Sequence, residues 1–537
     1  MKHRMLICLI ILCLVPLGTC AEEEIPTLYP IRENGLWGYM NQQGEVVIEP
    51  RWLYAYPFSG DTAIVRISKS EQDRSAETGW WGDALIDRSG QYVFAPAEGY
   101  HIVDYPFAYE ITDDTMWNQG FYDKSSGFLM LPNMEYRNID LLGDDGTGPI
   151  AVQDRNDMLG YVDRTTGELV IPLRYYYPGG FNPPAFQNGY AFPAERFFHV
   201  TADGRVTGHA YDEYLIDIHG NEVVLPDGMK PASSVKEDMV VFKTWMEDTD
   251  RPAWYKERYV IPFDAGNENE NMALYITRHG SDVLERYTEP QNGTWAYGIA
   301  RIDGTVLVDA IPNVYQMDLP DEDGIICYSQ MTEDGILCGH MSLDGQITLT
   351  PRYDLNAFEG EPCAYSFNNG YAVFRDYADT ERWVILDRAG REIYSAPYLM
   401  ENGDTLSLME VLENDLIWYG ISQNEWEDYY GSRYPNVIRK QYGLMKVTSA
   451  GVEMITEPVF DDVNWNTDRF GGSEVFFEGL CAVMVNDLWG YIDETAQWVI
   501  LPQYDNASSF RDGLALVEKD GKLMYIDHSG AVVWEEE

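Results

Sequence analysis

Apolar residues in this chain come in short runs, each stopped by Gly, Pro, Asp or Asn, and no segment keeps a long apolar period of 3.6 residues. The clearest stretch is 488–517. Leu-Trp-Gly-Tyr-Ile-Asp starts a strand, a turn follows, and Trp-Val-Ile-Leu forms a second run stopped by Pro502. An aromatic residue and Phe510 come next, then Gly513-Leu514-Ala515-Leu516-Val517 as a third strand. The stretch 36–65 has the same plan, and the step from Trp37 to Pro50 equals that from Trp489 to Pro502, 13 positions.

Each position in the plan has a physical role. Trp489, Tyr491 and Asp493 alternate with Gly490 and Ile492, so the two sets point to opposite faces of a strand. Trp and Tyr are large, flat and amphipathic, suited to the space between neighbouring sheets. Glycine beside Trp lets a backbone or ring come close. Pro502 and Pro50 stop the second strand because they lack an N–H for the ladder. In the Asp-x-x-Gly that follows in several copies, Asp accepts a hydrogen bond from the backbone two residues on, and Gly supplies positive φ.

The plan recurs. An apolar residue, then Asp or a substitute, then Pro nine positions later occurs as Asn41/Pro50, Asp87/Pro96, Asp123/Pro132, Asp163/Pro172, Asp217/Pro226, Ser342/Pro351, Ser449/Pro458 and Asp493/Pro502. Weaker copies surround Asp387, Asp527, Thr277 and Asp303. This gives about twelve units of roughly 35 to 60 residues, a period typical of repeat architectures. The expected fold is all-β, a tandem array of about twelve three-stranded antiparallel units. Twelve exceeds the usual four to eight blades of one propeller, so an open or superhelical array is preferred, with two propeller-like domains as the alternative. The expected organisation is a signal peptide at 1–21, repeats at 22–226, a divergent unit or insertion at 227–270, and degenerate repeats at 271–397. An irregular insertion at 398–434 and repeats at 435–537 complete it. The terminal unit, Leu523 to Trp534, lacks its third strand, as a capping or closing unit would.

The series Trp-Gly-Tyr-Ile-Asp, Pro-x-Tyr-Asp, Phe, Gly-Leu-Ala-x-Val resembles the bacterial WG repeat family. Residues 488–517 and 36–65 match closely, 158–192 fairly, with Leu159-Gly160 at the Trp-Gly start, and the other copies are degenerate. The resemblance implies a β-rich repeat array in an exported bacterial protein. It brings no catalytic, cofactor or metal residues. The residues it marks are structural: Trp37, Gly38, Tyr39, Pro50, Trp489, Gly490, Tyr491, Asp493 and Pro502.

Charge and the start of the chain add a setting. Lys2 and Arg4 precede an apolar run, Met5 to Val15, too short to span a bilayer, and Thr19 and Ala21 fit a cleavage site. Secretion is expected; the alternative is a lipoprotein anchored through Cys20. No later segment is a transmembrane helix candidate. The chain holds 37 basic and 88 acidic residues, a net charge of −51. Nucleic acid and anionic membranes would be repelled, and solubility accounts for the charge. With 45% hydrophobic and 14% aromatic residues, the chain is no disordered acidic tail.

Of the cysteines beyond the signal, Cys327, Cys338, Cys363 and Cys481, a Cys327–Cys338 bridge and buried free thiols both stay open. There is no His-Glu-x-x-His, Gly-x-Ser-x-Gly or phosphate-binding Gly-Lys-Ser/Thr. Ser233-x-x-Lys236 lacks its companion motifs. His199, His209 and His219, ten apart, fit no ligand spacing. Asp144-Asp145-Gly146 and Asp321-Glu322-Asp323-Gly324 read as solvated turns before calcium loops. Tyr175-Tyr176-Tyr177, Trp80-Trp81, Trp426 and Tyr429-Tyr430 are the aromatics available for stacking on sugars or peptides. The expected function is a non-catalytic binding or scaffold role towards a protein or glycan. The alternative is an extracellular polysaccharide- or peptide-acting hydrolase with carboxylates in a non-repeat loop.

Overall fold

A computed structural model describes residues 26–68, 81–95, 100–113, 118–132, 135–156, 158–176, 185–200, 206–247, 293–354, 367–377, 381–409, 411–412, 414–429, 432–465 and 475–537. Side chains of 68, 81, 176, 195–200, 206–213, 247, 293–294, 426–429 and 432–435 lie outside that description. Among the described residues every regular element is a strand. The strands form twelve antiparallel sheets, eight of them four-stranded, each following chain order. One, the hairpin Ala194–Val200 with Val206–Glu213, extends its neighbour, in which Tyr190–Ala191 pairs with Ile216–Asp217. The other eleven succeed one another along the chain.

The eleventh sheet shows the general design. A short leading strand, Asn506–Ala507, is followed by Leu514–Lys519, Lys522–Asp527 and the outer strand Val532–Glu535. The two inner strands carry near-continuous apolar sequence because each sheet has a neighbouring sheet on both faces, so both sides of the pleat are buried. Leu36–Met40 is buried on four of its five residues for that reason. The outer strands keep only some inward positions: Val46–Trp52 and Trp498–Tyr504 share one burial pattern, with Ile48, Trp52, Ile500 and Tyr504 buried.

The repeat visible in the sequence straddles two sheets. Leu488–Asp493 and Trp498–Tyr504 end the tenth sheet, whereas Asn506–Ala507 and Leu514–Lys519 begin the eleventh. The stretches expected to be irregular hold strands in their described parts. Lys230–Pro231 and Met239–Glu247 open the sixth sheet. Thr405–Leu408 and Leu416–Tyr429 belong to the ninth, whose central hairpin pairs from Leu416 opposite Lys446 out to Tyr429 opposite Ser432.

Consecutive sheets enclose separate apolar clusters. The succession of clusters returns to its start: Leu514, Leu523, Tyr525 and Trp534 of the eleventh sheet share one with Leu28, Tyr29, Ile31 and Trp37 of the first. The chain thus forms the all-β tandem array that the repeats imply, and its first and last sheets cover each other's outward faces. The third strand that the last sequence unit lacks is replaced in space by Tyr29–Glu33 of the first sheet.

Candidate binding site

The motif residues build the joint between sheets. Trp489 faces Tyr504 and Tyr491 faces Ile500, so two steps on one strand meet four on the other. The extra residues bulge at Pro502 and turn the Ile500 carbonyl over Gly490. A Cβ on Gly490 would lie 2.5 Å from Ile500 O and 2.7 Å from Pro502 N. Gly38 is pressed in the same way by Ile48 O and Pro50 N. Tyr491 and Tyr39 are fully buried. Each tyrosine ring meets the Phe that enters the next sheet, Tyr491–Phe510 at 4.9 Å and Tyr39–Phe58 at 4.8 Å between centroids. Each hydroxyl donates to a backbone carbonyl just before that Phe, Tyr491 to Ser508 O at 2.8 Å and Tyr39 to Tyr56 O at 2.7 Å. Trp37 is buried against Tyr54, with ring centroids 4.7 Å apart; Trp489 is only partly buried.

The repeated aspartates cap turns. Asp493 Oδ1 accepts from the backbone of Thr495 and Gln497, both at 2.9 Å. Asn41 does the same for Gln43 and Glu45. Asp493 is held below its ordinary pKa first by the Thr495 hydroxyl, then by those backbone donors. The turn that usually carries Gly at positive φ has Ala496 here, at φ 57°.

The seam between the eleventh and first sheets reuses this joint. Tyr525, at the Tyr491 position, donates to Pro30 O at 3.0 Å and meets the Tyr29 ring edge-on at 5.4 Å. Tyr29 in turn donates to Asp512 O at 2.7 Å. Burial, with Asp512 and Glu478 nearby, pushes the Tyr29 phenol up to about 12. Gln42 also donates to Asp512 O, and Thr27 to the Asp512 carboxylate, both at 2.8 Å. Arg32 grips Glu536 with two nitrogens, at 2.6 and 2.7 Å, which holds the Glu536 carboxylate below its ordinary pKa.

Tyr29 at the seam stands where Phe58 or Phe510 wedges an internal joint. Among the described residues, the first sheet has three strands, without the short leading strand of the second or eleventh. A cavity of about 350 Å³ opens beside the seam. Trp37, Tyr54 and Phe58 wall it from the first two sheets, Phe510 and Tyr525 from the last. Trp37 donates its indole N–H to no described residue. Arg88 lines the cavity and is committed: it donates to Pro26 O at 2.8 Å and Gly60 O at 2.7 Å, and lies over the Phe58 ring. His528 holds the matching place at the previous joint, stacked on Phe510 and 2.8 Å from Glu478. Arg511 also lines the cavity, and its guanidinium has no hydrogen-bond or ion-pair partner among the described residues.

The other sequence candidates fall elsewhere. Asp144 joins Asp123 in pairing with buried Arg164, at 2.6 and 2.8 Å. Asp321 accepts from its own turn, from Asp323 N and Ile325 N, and from Phe367 N, so its oxygens are taken up by backbone. Ser233 Oγ accepts from Val241 N, and Lys236 Nζ donates to Pro320 O. His219 lies in the Asp217 turn. Tyr175 is buried. The side chains of His199, His209, Trp81, Tyr176, Trp426 and Tyr429 are outside the described set, as are residues Trp80, Tyr177 and Tyr430. Cys327, Cys338 and Cys481 are buried, and no disulfide joins one of them to another; Cys363 is not described. Among the described residues no group of three His, Cys, Asp or Glu side chains is placed to hold a metal ion, and no helix is long and apolar enough to cross a membrane. Sequence reasoning missed Tyr54, Arg88 and Arg511. Only Arg88 left a signal, since it and His528 both follow a turn aspartate.

The family model for the WG containing repeat matches residues 37–69 and 489–522. It thus picks out the first joint and the joint leading into the last sheet. The chain carries WG repeats at these two places. No curated protein matches it in sequence. Solved structures with a distant likeness to this WG-repeat chain include the computationally designed Ika8 protein, at 11% identity and TM-score 0.29, covering 73% of this chain and 96% of that one. BamB from Moraxella catarrhalis has 12% identity and TM-score 0.27, covering 68% and 90%. The β-propeller domain of the Trilobed protease from Pyrococcus furiosus has 9% and 0.26, covering 64% and 98%.

Proposed function

We propose that this WG-repeat protein is an exported, non-catalytic binding scaffold, and that a protein or glycan partner engages it at the seam cavity. The observation that carries the reading is the cavity itself. Aromatic side chains from both ends of the array wall it, and two hydrogen-bonding groups there, the Trp37 indole and the Arg511 guanidinium, have no described partner. Flat aromatic walls with a few placed polar groups are the usual make-up of a site that binds a compact ligand. The repeated carboxylates support a binding role over hydrolysis, because those of Asp493, Asp217 and Asp87 are occupied in capping their own turns. The apolar run at 5–15 and the small residues that follow support export.

The test is capture from the producing cell's surface fraction, run beside a glycan array, with the wild-type chain and Tyr54→Ala. A partner retained by the wild type, lost by the variant and recovered chemically unchanged is expected. Turnover of a polysaccharide or peptide, abolished by one carboxylate substitution outside the repeats, would refute the reading.

A further inference from the structure

The seam cavity has a chemical bias that runs against the rest of the chain. Acidic residues outnumber basic ones, 88 to 37, so a basic side chain ordinarily finds a carboxylate. The seam follows that expectation elsewhere: Arg32 is held by Glu536, and Arg88 lies 3.4 Å from Asp61. Arg511 does not. Its neighbour Asp512 is engaged by Thr27 through the side chain and by Tyr29 and Gln42 through the backbone. The guanidinium of Arg511 is left exposed at the cavity with its planar fork of donors unused.

We infer that the seam cavity of this chain takes a small ring compound bearing one carboxylate, the ring against the exposed Tyr54 and the carboxylate on Arg511. The inference rests on the binding role proposed above and narrows it to a ligand class. Three observations carry it. The volume, about 350 Å³, is at the lower end of ligand pockets and suits one or two six-membered rings. The walls are aromatic on both sides of the seam, which favours a flat or pyranose ring over an extended aliphatic chain. The unpaired guanidinium matches a carboxylate with two parallel hydrogen bonds, geometry that a lysine would not offer. The Trp37 indole N–H is a further donor, suited to a hydroxyl or ring oxygen. In a chain of net charge −51 the surrounding field repels anions. Recognition therefore depends on the local pair, and binding should weaken little as salt is raised, because the repulsive field is screened along with the attraction.

An acidic sugar and an aromatic acid share this chemistry, and the experiment separates them. Isothermal titration of the full chain uses glucuronate, 4-hydroxyphenylacetate and glucose as probes. At least one carboxylate compound should bind saturably at millimolar concentration or better, and glucose should bind at least tenfold more weakly. Which acid binds identifies the source. Arg511→Gln should weaken the bound acid tenfold or more and leave the unfolding midpoint unchanged, since the side chain is exposed and unpartnered. Trp37→Phe, which keeps an aromatic ring of smaller size and removes the N–H, should weaken it by a smaller factor. If glucose binds as tightly as glucuronate and Arg511→Gln changes neither, the carboxylate assignment is overturned while the binding role stands. Failure of both acids to bind also overturns it, and capture of a partner that depends on Tyr54 then keeps the broader reading alive.

Discussion

Replacing Gly490 by alanine puts the bulged joint under a defined strain. Gly490 is not at positive φ, so its need for glycine is steric alone. A Cβ there would sit 2.5 Å from Ile500 O, 2.7 Å from Pro502 N and 2.8 Å from Leu501 C. All three are main-chain atoms of the paired strand, and none can swing aside as a side chain would. Overpacking in a well-ordered core costs typically 1–3 kcal/mol, and a clash with two sides of one bulge belongs at the top, about 3 kcal/mol. Gly479, in the turn that leads into the same sheet, is the control: it has φ 80° and open space where its Cβ would go. Gly479→Ala meets backbone strain only, about 1 kcal/mol. Denaturant midpoints followed by tryptophan fluorescence give the ranking. Hydrogen exchange across 488–504 shows whether the loss is local, which matters because a repeat array need not unfold in one step. If Gly490→Ala destabilises no more than Gly479→Ala, the bulge is not what demands glycine in the Trp-Gly pair.

Other outcomes follow from the same geometry. Ala496 holds φ 57° where most turns have glycine; Ala496→Gly should raise stability by about 0.5 kcal/mol, the relief of left-handed strain less the entropy of glycine, seen as a higher melting temperature. Tyr525→Phe removes the hydroxyl bond to Pro30 O at the seam, and Tyr491→Phe removes its counterpart at an internal joint; each should cost about 1 kcal/mol or somewhat more by denaturation, since a buried carbonyl is left unsatisfied. Asp163, Asp493 and Asp527 are held below their ordinary pKa, first by the hydroxyls of Thr165, Thr495 and Ser529. Their folded values lie below the unfolded ones, so the stability they contribute is present above about pH 4. It is lost as pH falls through the folded values, and a melting-temperature profile against pH should drop there.

Much of the architecture was legible in the sequence because the joint is local. Trp-Gly-Tyr, the bulge proline, the turn aspartate and the following Phe all lie within one repeat, and each has a strong positional preference. The assignment of strands to sheets was not legible, because the third strand of a repeat pairs with the next repeat and the sequence period is the same either way. The contact of the two ends was hidden too. It joins Tyr525 to Pro30, 495 positions apart, and no local pattern links residues so far separated. The seam cavity left less trace still. Tyr54 stands where Asn506 does, and Arg511 where Ser59, Gln187 and Asn368 do, but that the two meet at one cavity appears only in three dimensions.

The central claim is that the first and last sheets join as internal neighbours do. Energy transfer between dyes at Asn34, in an exposed turn, and Lys522, exposed at the start of its strand, both flanking the Arg32–Glu536 grip, tests it most directly. Packed sheets are about 10 Å apart, so the two positions should lie within roughly 20 Å and transfer should be nearly complete. Loss of that transfer in denaturant, at the same midpoint as the tryptophan signal, is also expected. Eleven sheets stacked in a line would set the ends on the order of 100 Å apart, and little or no transfer in the native protein would contradict the account.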